Sequence, residues 1–427
     1  MSSAVPAGWE VTKLGEHTNR FYQGINTVAD KVVYQIDGIP ILQAKHITSG
    51  VVTFGGAKFL DAATYGKYRD KFQPQENDIL FTNIGTIGKS VLVHKPSEYL
   101  IAWNIFLIGL TAETDPKYFN LFLQKLDSDQ YFEDLMTGNA TKFINKSNLY
   151  DIPFLTPPLP EQKKIASILT SVDEVIENTQ KQIDKLQDLK KATMNELLTK
   201  GIGHAEFKDS ELGRIPKSWE VYSVQELLDN GTLLTMKDGN HGAQYPRSSE
   251  FQRSGVPFLA ASSISEEGAF EIDQLPCLSS ERAKSLRIPC AIGGDVILTH
   301  NATVGRVTII PQDVKEIIVS TSTTYYRVNG KSMSNEYLKC FLEGNPFQSQ
   351  LQRVMGQTTR NQVPITAQRL LSIALPPTLD EQMHISQVIS SLSQKLVTNA
   401  IKLQKTQSLK KSLMQDLLTG KVRVTVN

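Results

Sequence analysis

The chain has 427 residues, 40% hydrophobic and 21% charged, so it is long enough for two domains that each bury a core. Its 45 Lys and Arg nearly balance 44 Asp and Glu, which excludes an overall basic field of the kind that attracts nucleic acid. The sequence contains no run of 18 apolar residues, and its start lacks the basic and apolar parts of a signal peptide. We therefore expect no membrane segment and a cytoplasmic protein.

Residues 1 to 155 predict a mixed α/β domain dominated by curved antiparallel sheet. Short apolar runs such as Val51–Phe54 are separated by Gly, Asn and Pro, a pattern typical of short strands joined by turns. The segment Gly85–Ser90 resembles the end of a phosphate-binding P-loop, but Asn83 stands where that motif needs its first glycine. Because apolar runs flank this segment, we predict a hairpin turn here.

Residues 156 to 201 predict one long helix. Apolar residues recur at alternating steps of four and three from Ile165 to Leu186, and the polar Thr179 lies on the same face. A polar residue in such a seam either fixes the register of helix pairing or is locally solvated. The prolines within Pro157–Pro160 set the start of the helix, and Gly201 sets its end.

The rest of the chain repeats this plan, with a second α/β domain over residues 202 to 374 and a second long helix over residues 375 to 427. The matched segments are Trp9–Glu10 with Trp219–Glu220, Ile39–Leu42 with Val256–Leu259, Asp78–Thr82 with Asp295–Thr299, Gly85–Lys89 with Ala302–Arg306, Gly138–Lys142 with Gly356–Arg360, and Leu159–Thr199 with Leu379–Thr419. Between these segments the halves have no evident similarity. One scaffold that carries two different surfaces predicts two targets.

The second helix has the spacing of the first. Its apolar face runs from Ile385 to Thr406, with Asn399 in the place of Thr179, and Gly420 sets its end. We expect the faces to continue after a shift in register through Leu189, Met194, Leu197, Leu409, Met414 and Leu417. The predicted fold class is α+β: two mixed α/β domains joined by two long antiparallel coiled-coil helices, with an internal pseudo-two-fold repeat.

Motifs for catalysis are missing from the sequence. A methyltransferase that acts on an exocyclic amine carries an Asn-Pro-Pro-Tyr type box, whereas Leu155–Pro158 and Leu375–Thr378 lack the amide. Carboxylates do not cluster ahead of a lysine, and the seven histidines form no ligand pattern. The three cysteines have no metal spacing either, and we predict buried thiols. We expect a chain that is not an enzyme and binds no cofactor.

Local basic clusters are the remaining candidates for contact with a polyanion. Lys67, Arg69 and Lys71 form one cluster, and Arg282, Lys284 and Arg287 form another. Such clusters are commonly solvated faces, and partner subunits are an alternative source of phosphate contacts. Thr141–Lys142 and Thr359–Arg360 differ from them because they recur at matching places in the two halves.

In combination, these features resemble the specificity subunits of Type I restriction-modification systems. The residues that carry the resemblance are Pro158–Ile165, Leu379–Gln382, the turns Gly85–Lys89 and Ala302–Arg306, and the Trp-Glu pairs near the start of each half. The resemblance covers essentially the whole chain. It implies that the α/β domains are target-recognition domains and that each reads one half of a bipartite, gapped DNA site.

The resemblance also implies the partners of the chain. They are double-stranded DNA, two methyltransferase subunits that use S-adenosylmethionine, and restriction subunits recruited through the complex. The long helices would set the spacer and dock the methyltransferase subunits. If both domains approach one side of the duplex, the centres of the half-sites lie about one helical turn, roughly 34–36 Å, apart. Basic surface and flipping of the target adenine would then come from the methyltransferase partners.

We expect the contacts with DNA at the repeated turns and at the tips that follow them. The predicted DNA-binding residues are Asn83, Thr86, Lys89, Asn139, Thr141, Lys142, His300, Thr303, Arg306, Gln357, Thr359 and Arg360. Two other hypotheses remain open from the residues alone. In the first, the chain is a coiled-coil adaptor without DNA specificity. In the second, it is an enzyme that modifies or cleaves DNA.

Overall fold

The computed structural model describes residues 5–95, 97–138, 142–356 and 361–426. Contacts divide the chain into two compact units, of which the first comprises Met1–Gln180 and Ile401–Asn427 and the second comprises Lys181–Ala400. Each unit therefore contains one α/β domain together with part of both long helices. None of the helices in the described ranges combines the length and the apolarity needed to cross a membrane.

The α/β domain of the first unit is built mainly from short strands. Its strands are β1 (Glu10–Lys13), β2 (Thr18–Gln23), β3 (Ile39–Leu42), β4 (Lys58–Leu60), β5 (Ile79–Thr82), β6 (Ser90–Leu92), β7 (Leu100–Ile101), β8 (Ile105–Leu110) and β9 (Pro153–Thr156). Its helices are α1 (Ala62–Phe72), α2 (Pro116–Ser128) and α3 (Lys146–Tyr150), with 3-10 turns at Leu14–His17, Ala44–His46 and Tyr131–Leu135.

Two sheets carry this domain. The first is antiparallel in the order β2-β8-β5-β6, and the second has the order β4-β3-β7 with β3 and β7 parallel. All four residues of β5 are buried because α2 covers one face of the sheet and a smaller core fills the other. Strands β1 and β9 pair beside the start of the first long helix, which follows at once.

The second unit repeats these elements. Its strands are β10 (Phe207–Ser210), β11 (Gly213–Pro216), β12 (Glu220–Ser223), β13 (Leu233–Asp238), β14 (Val256–Leu259), β15 (Cys277–Leu278), β16 (Val296–Thr299), β17 (Val307–Ile309), β18 (Ile318–Val319), β19 (Thr323–Val328) and β20 (Ser372–Leu375). Its helices are α5 (Val224–Asp229), α6 (Ser280–Lys284), α7 (Asn335–Glu343), α8 (Asn345–Met355) and α9 (Ile365–Gln368), with 3-10 turns at Gly242–Gln244, Ser248–Glu250, Ala261–Ser263 and Ile272–Gln274.

The sheets of the second unit have the topology of the first. Their orders are β13-β19-β16-β17 and β15-β14-β18, and β14 and β18 are parallel as β3 and β7 are. Strands β12 and β20 pair as β1 and β9 do, and the hairpin of β10 and β11 precedes them. The duplicated mixed α/β domain predicted from the sequence is thus confirmed at the level of strand order.

The two long helices are α4 (Leu159–Lys200) and α10 (Leu379–Leu417). Gly201 and Gly420 have φ of +63° and +68°, the left-handed conformation in which helices often end. In the first unit Lys410 Nζ lies 2.7 Å from Asp173 Oδ1, and Met414 shares a core with Leu169. The start of α4 therefore packs against the end of α10 in the antiparallel sense.

The predicted seams are confirmed up to Leu186 and Thr406, and the residues named for the face beyond them are confirmed in part. Leu189 and Leu409 are 51% and 52% exposed, and half-buried Lys190 and Lys410 lie on the seams in their place. The apolar face then continues as predicted, because Met194, Met414 and Leu417 are buried and Leu197 is half-buried. Lys410 is tolerated on the seam because its aliphatic stem packs against apolar neighbours while its ammonium group reaches Asp173.

The polar seam residues bond within their own helices. The Thr179 hydroxyl is buried and donates to the Val175 carbonyl at 2.7 Å. The Asn399 amide is half-buried and donates to the Lys395 carbonyl at 2.9 Å. Each side chain thus satisfies a polar atom locally within the seam.

An acid at the start of each long helix, buried at Glu161 and half-buried at Glu381, fastens the α/β domain to it. The Trp9 indole N–H donates to Glu161 Oε2 at 3.0 Å. The Arg423 guanidinium group forms a bidentate pair with the same carboxylate, with Nε 2.7 Å from Oε1 and Nη2 2.8 Å from Oε2. The bond from Arg423, together with that from Trp9, lowers the pKa of Glu161 although its burial opposes this.

The second unit has the same fastening, with a histidine in the place of the arginine. The Trp219 indole N–H donates to Glu381 Oε2 at 3.2 Å, and His204 Nε2 lies 2.7 Å from Oε1. The backbone N–H of Ile202 also donates to that oxygen at 3.1 Å. The Trp and Glu residues that mark the repeat in the sequence therefore hold one another in both units.

The adjacent glutamines cap the segment that leads into the domain's main helix. Gln162 Oε1 accepts the Asp115 N–H at 2.8 Å, and Gln382 Oε1 accepts the Ser334 N–H at 2.9 Å. Each Nε2 donates back to the Pro that precedes its own helix, Pro157 or Pro376. Both glutamines are buried, so the Glu-Gln pairs in the sequence are structural.

Replacing Glu161 by Gln is expected to destabilise the first unit by about 1.5–3 kcal/mol at pH 7, because a bond to a charged group is lost. A lowered folded pKa gives stability above the ordinary value of 4.5 that is lost as pH falls. The deficit of the variant should therefore shrink below about pH 4.5. Calorimetric unfolding from pH 3 to pH 8 measures it; a deficit that does not depend on pH would contradict the assignment.

Candidate nucleic-acid interface

The predicted turn in the first domain is the hairpin loop between β5 and β6. Thr82 N–H donates to the Lys89 carbonyl at 2.8 Å, and Gly88 N–H donates to the Thr82 carbonyl at 3.0 Å. The Thr82 hydroxyl oxygen accepts the Lys89 N–H at 2.9 Å. One buried threonine therefore closes the loop, and the hairpin prediction is confirmed.

The second domain closes its loop between β16 and β17 with the same three bonds. Thr299 N–H donates to the Arg306 carbonyl and Gly305 N–H to the Thr299 carbonyl, both at 2.9 Å. The Thr299 hydroxyl accepts the Arg306 N–H at 2.9 Å. Sequence reasoning did not single out Thr82 or Thr299 as holding these loops, although each ends a matched Asp-apolar-apolar-apolar-Thr segment.

The loops also share their left-handed positions. Gly88 and Gly305 have φ of +90° and +97°, and Gly85 has φ of +82°. The residue in the place of Gly85 in the second loop is Ala302, which adopts φ of +62° despite its side chain. The second loop therefore has the geometry of the first at some cost in backbone strain.

A turn between the two sheets lies beside the hairpin loop of the first domain. Asn83 N–H donates to the Asn104 carbonyl at 3.3 Å, and Ile144 N–H donates to the Asn83 carbonyl at 2.9 Å. The side chain of Asn104 accepts the Ala44 N–H at 3.3 Å. Four separate segments thus meet at one edge of the domain.

The same four segments meet in the second domain. His300 N–H donates to the Ser322 carbonyl at 2.9 Å, and Val363 N–H donates to the His300 carbonyl at 2.8 Å. The Ser322 hydroxyl accepts the Ala261 N–H at 3.2 Å. The backbone frame is therefore repeated, while Asn83 and Asn104 are exchanged for His300 and Ser322.

The exchanged side chains differ in chemistry. Asn83 is buried, and its Oδ1 has no hydrogen-bond partner among the described residues. His300 is also buried, and its Nδ1 lies 2.9 Å from Thr324 Oγ1. Burial lowers the pKa of His300 below its ordinary value of 6.5, so the ring is neutral at pH 7 and has one donor and one acceptor.

The predicted cations of the loops are engaged within the protein. Lys89 Nζ lies 2.6 Å from Asp127 Oδ2. Arg306 donates to the Ile264 carbonyl, and its Nη2 lies 3.8 Å from Glu266 Oε1. Both cations brace their loops in the described structure, and their contact with DNA stays a prediction.

The other predicted residues fall into two groups. Thr86 and Lys142 are exposed beside the first loop, and Thr303 is half-buried in the second. The bridge between Ile84 and Phe143 brings the segment of Lys142 to the hairpin loop. Asn139, Thr141, Gln357, Thr359 and Arg360 lie outside the described residues.

The basic clusters predicted from the sequence lie on α1 and, except for Arg287, on α6. On α1, Lys67 Nζ lies 4.7 Å from the centre of the Tyr68 ring, and Lys71 Nζ lies 5.2 Å from that of Tyr22. Near α6, Arg282 Nε lies 2.6 Å from Glu250 Oε1. Local partners therefore occupy three of these cations.

The buried carboxylates of the sheets have structural partners. Arg20 Nη1 lies 2.9 Å from Asp78 Oδ2, and burial raises the pKa of Asp78 in spite of this pair. Arg327 forks over Asp295, with Nε and Nη2 at 2.8 and 2.7 Å. The Oδ2 atom of each acid, which the arginine already contacts, also accepts a backbone N–H, from Gln75 or Ile292.

Thiols and metal ligands add no reactive centre to the described part of the chain. Cys277 and Cys340 are buried, as predicted, and Cys290 is half-buried. Burial raises the pKa of Cys290 to about 11 and that of Cys340 to about 12, which keeps both protonated at neutral pH. In the ranges that the structure describes, His, Cys, Asp and Glu side chains form no group of three able to hold a metal ion.

The geometry defines a class of protein: a duplicated recognition scaffold whose two α/β domains present matched loops with different side chains. The family described as Type I restriction modification DNA specificity domain matches residues 6–188 and 216–411. These two matches cover most of the chain, once in each half. The chain belongs to this family and is a Type I restriction-modification specificity subunit.

Relatives and solved structures agree with this assignment. The chain is 27% identical over 98% of its length to the Type I restriction enzyme MjaVIII specificity subunit of Methanocaldococcus jannaschii, 94% of which is covered. It is also 27% identical to the putative MjaX specificity subunit of that organism, over 98% of this chain and 95% of the relative. The S subunit of a Type I restriction-modification system from M. genitalium has the same fold, with a TM-score of 0.58, 15% identity and 96% of each chain covered.

A structure described as concerning complex assembly and conformational transition of the Type I system also shares the fold. Its TM-score is 0.60 at 16% identity, and the match covers 98% of this chain and 100% of that one. The predicted fold class is thereby confirmed.

The strained alanine of the second loop offers a test of the shared geometry. Replacing Ala302 by Gly is expected to stabilise the second unit by about 0.5–1 kcal/mol, since glycine adopts a positive φ without strain. The matched change Gly85→Ala should destabilise the first unit by a similar amount. Thermal unfolding measures both changes, and a loss of stability in A302G would show that the loops differ in conformation.

Proposed function

We propose that each α/β domain reads one half of a bipartite, gapped DNA sequence at the edge where its hairpin loop lies. The observation that carries this proposal is the repeated backbone frame with exchanged side chains, Asn83 and Asn104 against His300 and Ser322. Because Asn83 and His300 are buried and Asn104 and Ser322 are half-buried, these exchanges change the shape and chemistry of the edge from which each hairpin loop projects. Equal frames with different groups favour two unequal half-sites and hence an asymmetric target.

The long helices have two roles in this proposal. Because α4 and α10 run through both units, their length sets the separation of the half-sites, and their outer faces dock two methyltransferase subunits. Val175 and Leu189 on α4, and Val388 and Leu409 on α10, are large apolar side chains that are more than 40% exposed. Exposed apolar side chains on helices are suited to packing against helices of a partner.

The balance of charge supports a division of labour within the complex. The net charge is +1, and among the described residues the cations of the hairpin loops, Lys89 and Arg306, are paired within the protein, while Lys142 is exposed beside the first loop. The methyltransferase subunits would supply most phosphate contacts, bind S-adenosylmethionine and flip the target adenine. Restriction subunits would join through the complex. This chain contributes sequence recognition and takes no part in bond making.

Methylation mapping in cells tests the function directly. Cells that express this chain with its methyltransferase subunit should methylate adenine in one gapped motif on both strands, and cells without this chain should not. Long-read sequencing measures both states. Unchanged methylation, with both proteins folded and associated, would favour an adaptor without DNA specificity, and bound S-adenosylmethionine in the purified chain would favour an enzyme.

Variants of the matched loop threonines test whether each domain reads its own half-site. Thr86→Ala is expected to weaken discrimination in one half of the motif, and Thr303→Ala in the other half, because each hydroxyl lies on one hairpin loop. Methylation rates on duplexes with single base changes measure discrimination at every position. Effects of both variants in the same half-site would refute the assignment of one domain to each half.

A further inference from the structure

Trp103 stands apart from the other tryptophans of the chain. Trp9 and Trp219 are 5% and 0% exposed and form the fastening of each domain to a long helix, whereas Trp103 is 44% exposed. A tryptophan that leaves this much of its apolar ring in water is usual where a binding partner covers it. Neither the fold nor the fastening requires an indole at this place.

The backbone holds Trp103 in the turn that joins β7 to β8. Its N–H donates to the Ile25 carbonyl at 2.9 Å, and its own carbonyl accepts the Gln23 side-chain N–H at 2.7 Å. Gly24 lets the turn approach, because a Cβ there would lie 2.4 Å from the Ala102 carbonyl oxygen. The indole is therefore presented from a fixed base.

The turn lies directly beside the hairpin loop of the first domain. Asn104, the next residue, accepts the Asn83 N–H at the base of that loop, and its side chain accepts the Ala44 N–H. Phe143, 37% exposed, forms a bridge with Ile84 and precedes the buried Ile144. Trp103 is thus the largest exposed apolar side chain on the turn that braces the loop.

The second domain has the same turn with a different residue. Ser320 N–H donates to the Leu259 carbonyl at 2.9 Å as Ala102 N–H donates to the Leu42 carbonyl at 2.8 Å. This match places Thr321 in the position of Trp103. Gly239 allows the close approach, since a Cβ there would lie 2.4 Å from the Val319 carbonyl oxygen. The frame accepts either residue, and only the first domain has an indole there.

We propose that Trp103 is a specificity-determining residue of the first domain, which makes an apolar contact with one base of the half-site that this domain reads. The inference rests on the proposed function. An indole is suited to packing against the apolar parts of a base, such as a thymine methyl group or an unstacked ring. An apolar contact of this kind needs no charge from Lys89, which is paired with Asp127.

The experiment uses the complex of this chain with its methyltransferase subunits, S-adenosylmethionine, and duplexes that carry every single base change in the motif. In Trp103→Ala, discrimination at one position of one half-site should disappear, and the methylation rate on the intended motif should fall about ten- to hundredfold. Discrimination at the other positions and in the other half-site should stay as in the unchanged complex. Trp103→Phe should retain part of the lost discrimination.

Two further variants separate recognition from folding. Trp103→Thr places in the first domain the residue that the same turn carries in the second, so it serves as the folded replacement if Trp103→Ala does not fold. Thr321→Ala is the matched control and should leave the half-site of the first domain unchanged. Thermal unfolding and the association of each variant with the methyltransferase subunits are measured beside the methylation rates.

Each remaining result decides one question. If Trp103→Thr keeps its discrimination at every position, or loses discrimination in both half-sites together, Trp103 does not read a base. If the unchanged complex, which carries Trp103, methylates no gapped motif, the proposed function itself is refuted, and the proposal for Trp103 that rests on it is refuted with it.

Discussion

The bond between a glutamate and a tryptophan indole, made once in each unit, is the constraint on which the rest of the structure depends. Glu161 and Glu381 lie in the first turn of a long helix, where the helix dipole favours a negative charge. Each also binds a side chain from the segment that follows the end of the other helix, Arg423 or His204. One carboxylate thus joins the start of one long helix, the end of the other and an α/β domain.

The bonds around this fastening explain the glutamine that follows each glutamate and the prolines ahead of each long helix. The prolines cannot continue the helix backward, and the carbonyls of Pro157 and Pro376 accept from the glutamine side chains. Gln162 and Gln382 carry those bonds onward to the first turn of α2 and α7. The orientation of each domain's main helix therefore depends on two adjacent side chains. A binding surface on the domain requires that orientation to be fixed.

Repetition and exchange divide the molecule into a frame and a variable surface. Both domains have a hairpin loop closed by a threonine, a turn beside it, and an Arg-Asp pair. The geometry of these features is shared even where the residue that makes the contact lies on a different strand. Arg20 reaches Asp78 from β2, whereas Arg327 reaches Asp295 from β19, the strand that corresponds to β8. At the position of Arg327 the first domain has Gly109, beside which an added Cβ would lie 2.9 Å from Asp78 Oδ1. The pair is preserved by exchanging strands, and the side chains at the loop edge are free to differ.

The sequence by itself determined the duplication, the presence of both long helices, the hairpin loops and the family. These features depend on local periodicity, on glycine and proline, and on matched segments, all of which a linear comparison detects. Only the tertiary structure decided that Leu189 and Leu409 are exposed, that Asn83 and His300 are buried, that Lys89 and Arg306 are paired, and that Trp103 is presented at the loop edge. The physical reason is that burial and pairing depend on residues distant in the chain. Asp127 pairs with Lys89 across 38 residues, and Gly24, which follows β2, allows the close approach of the turn that carries Trp103.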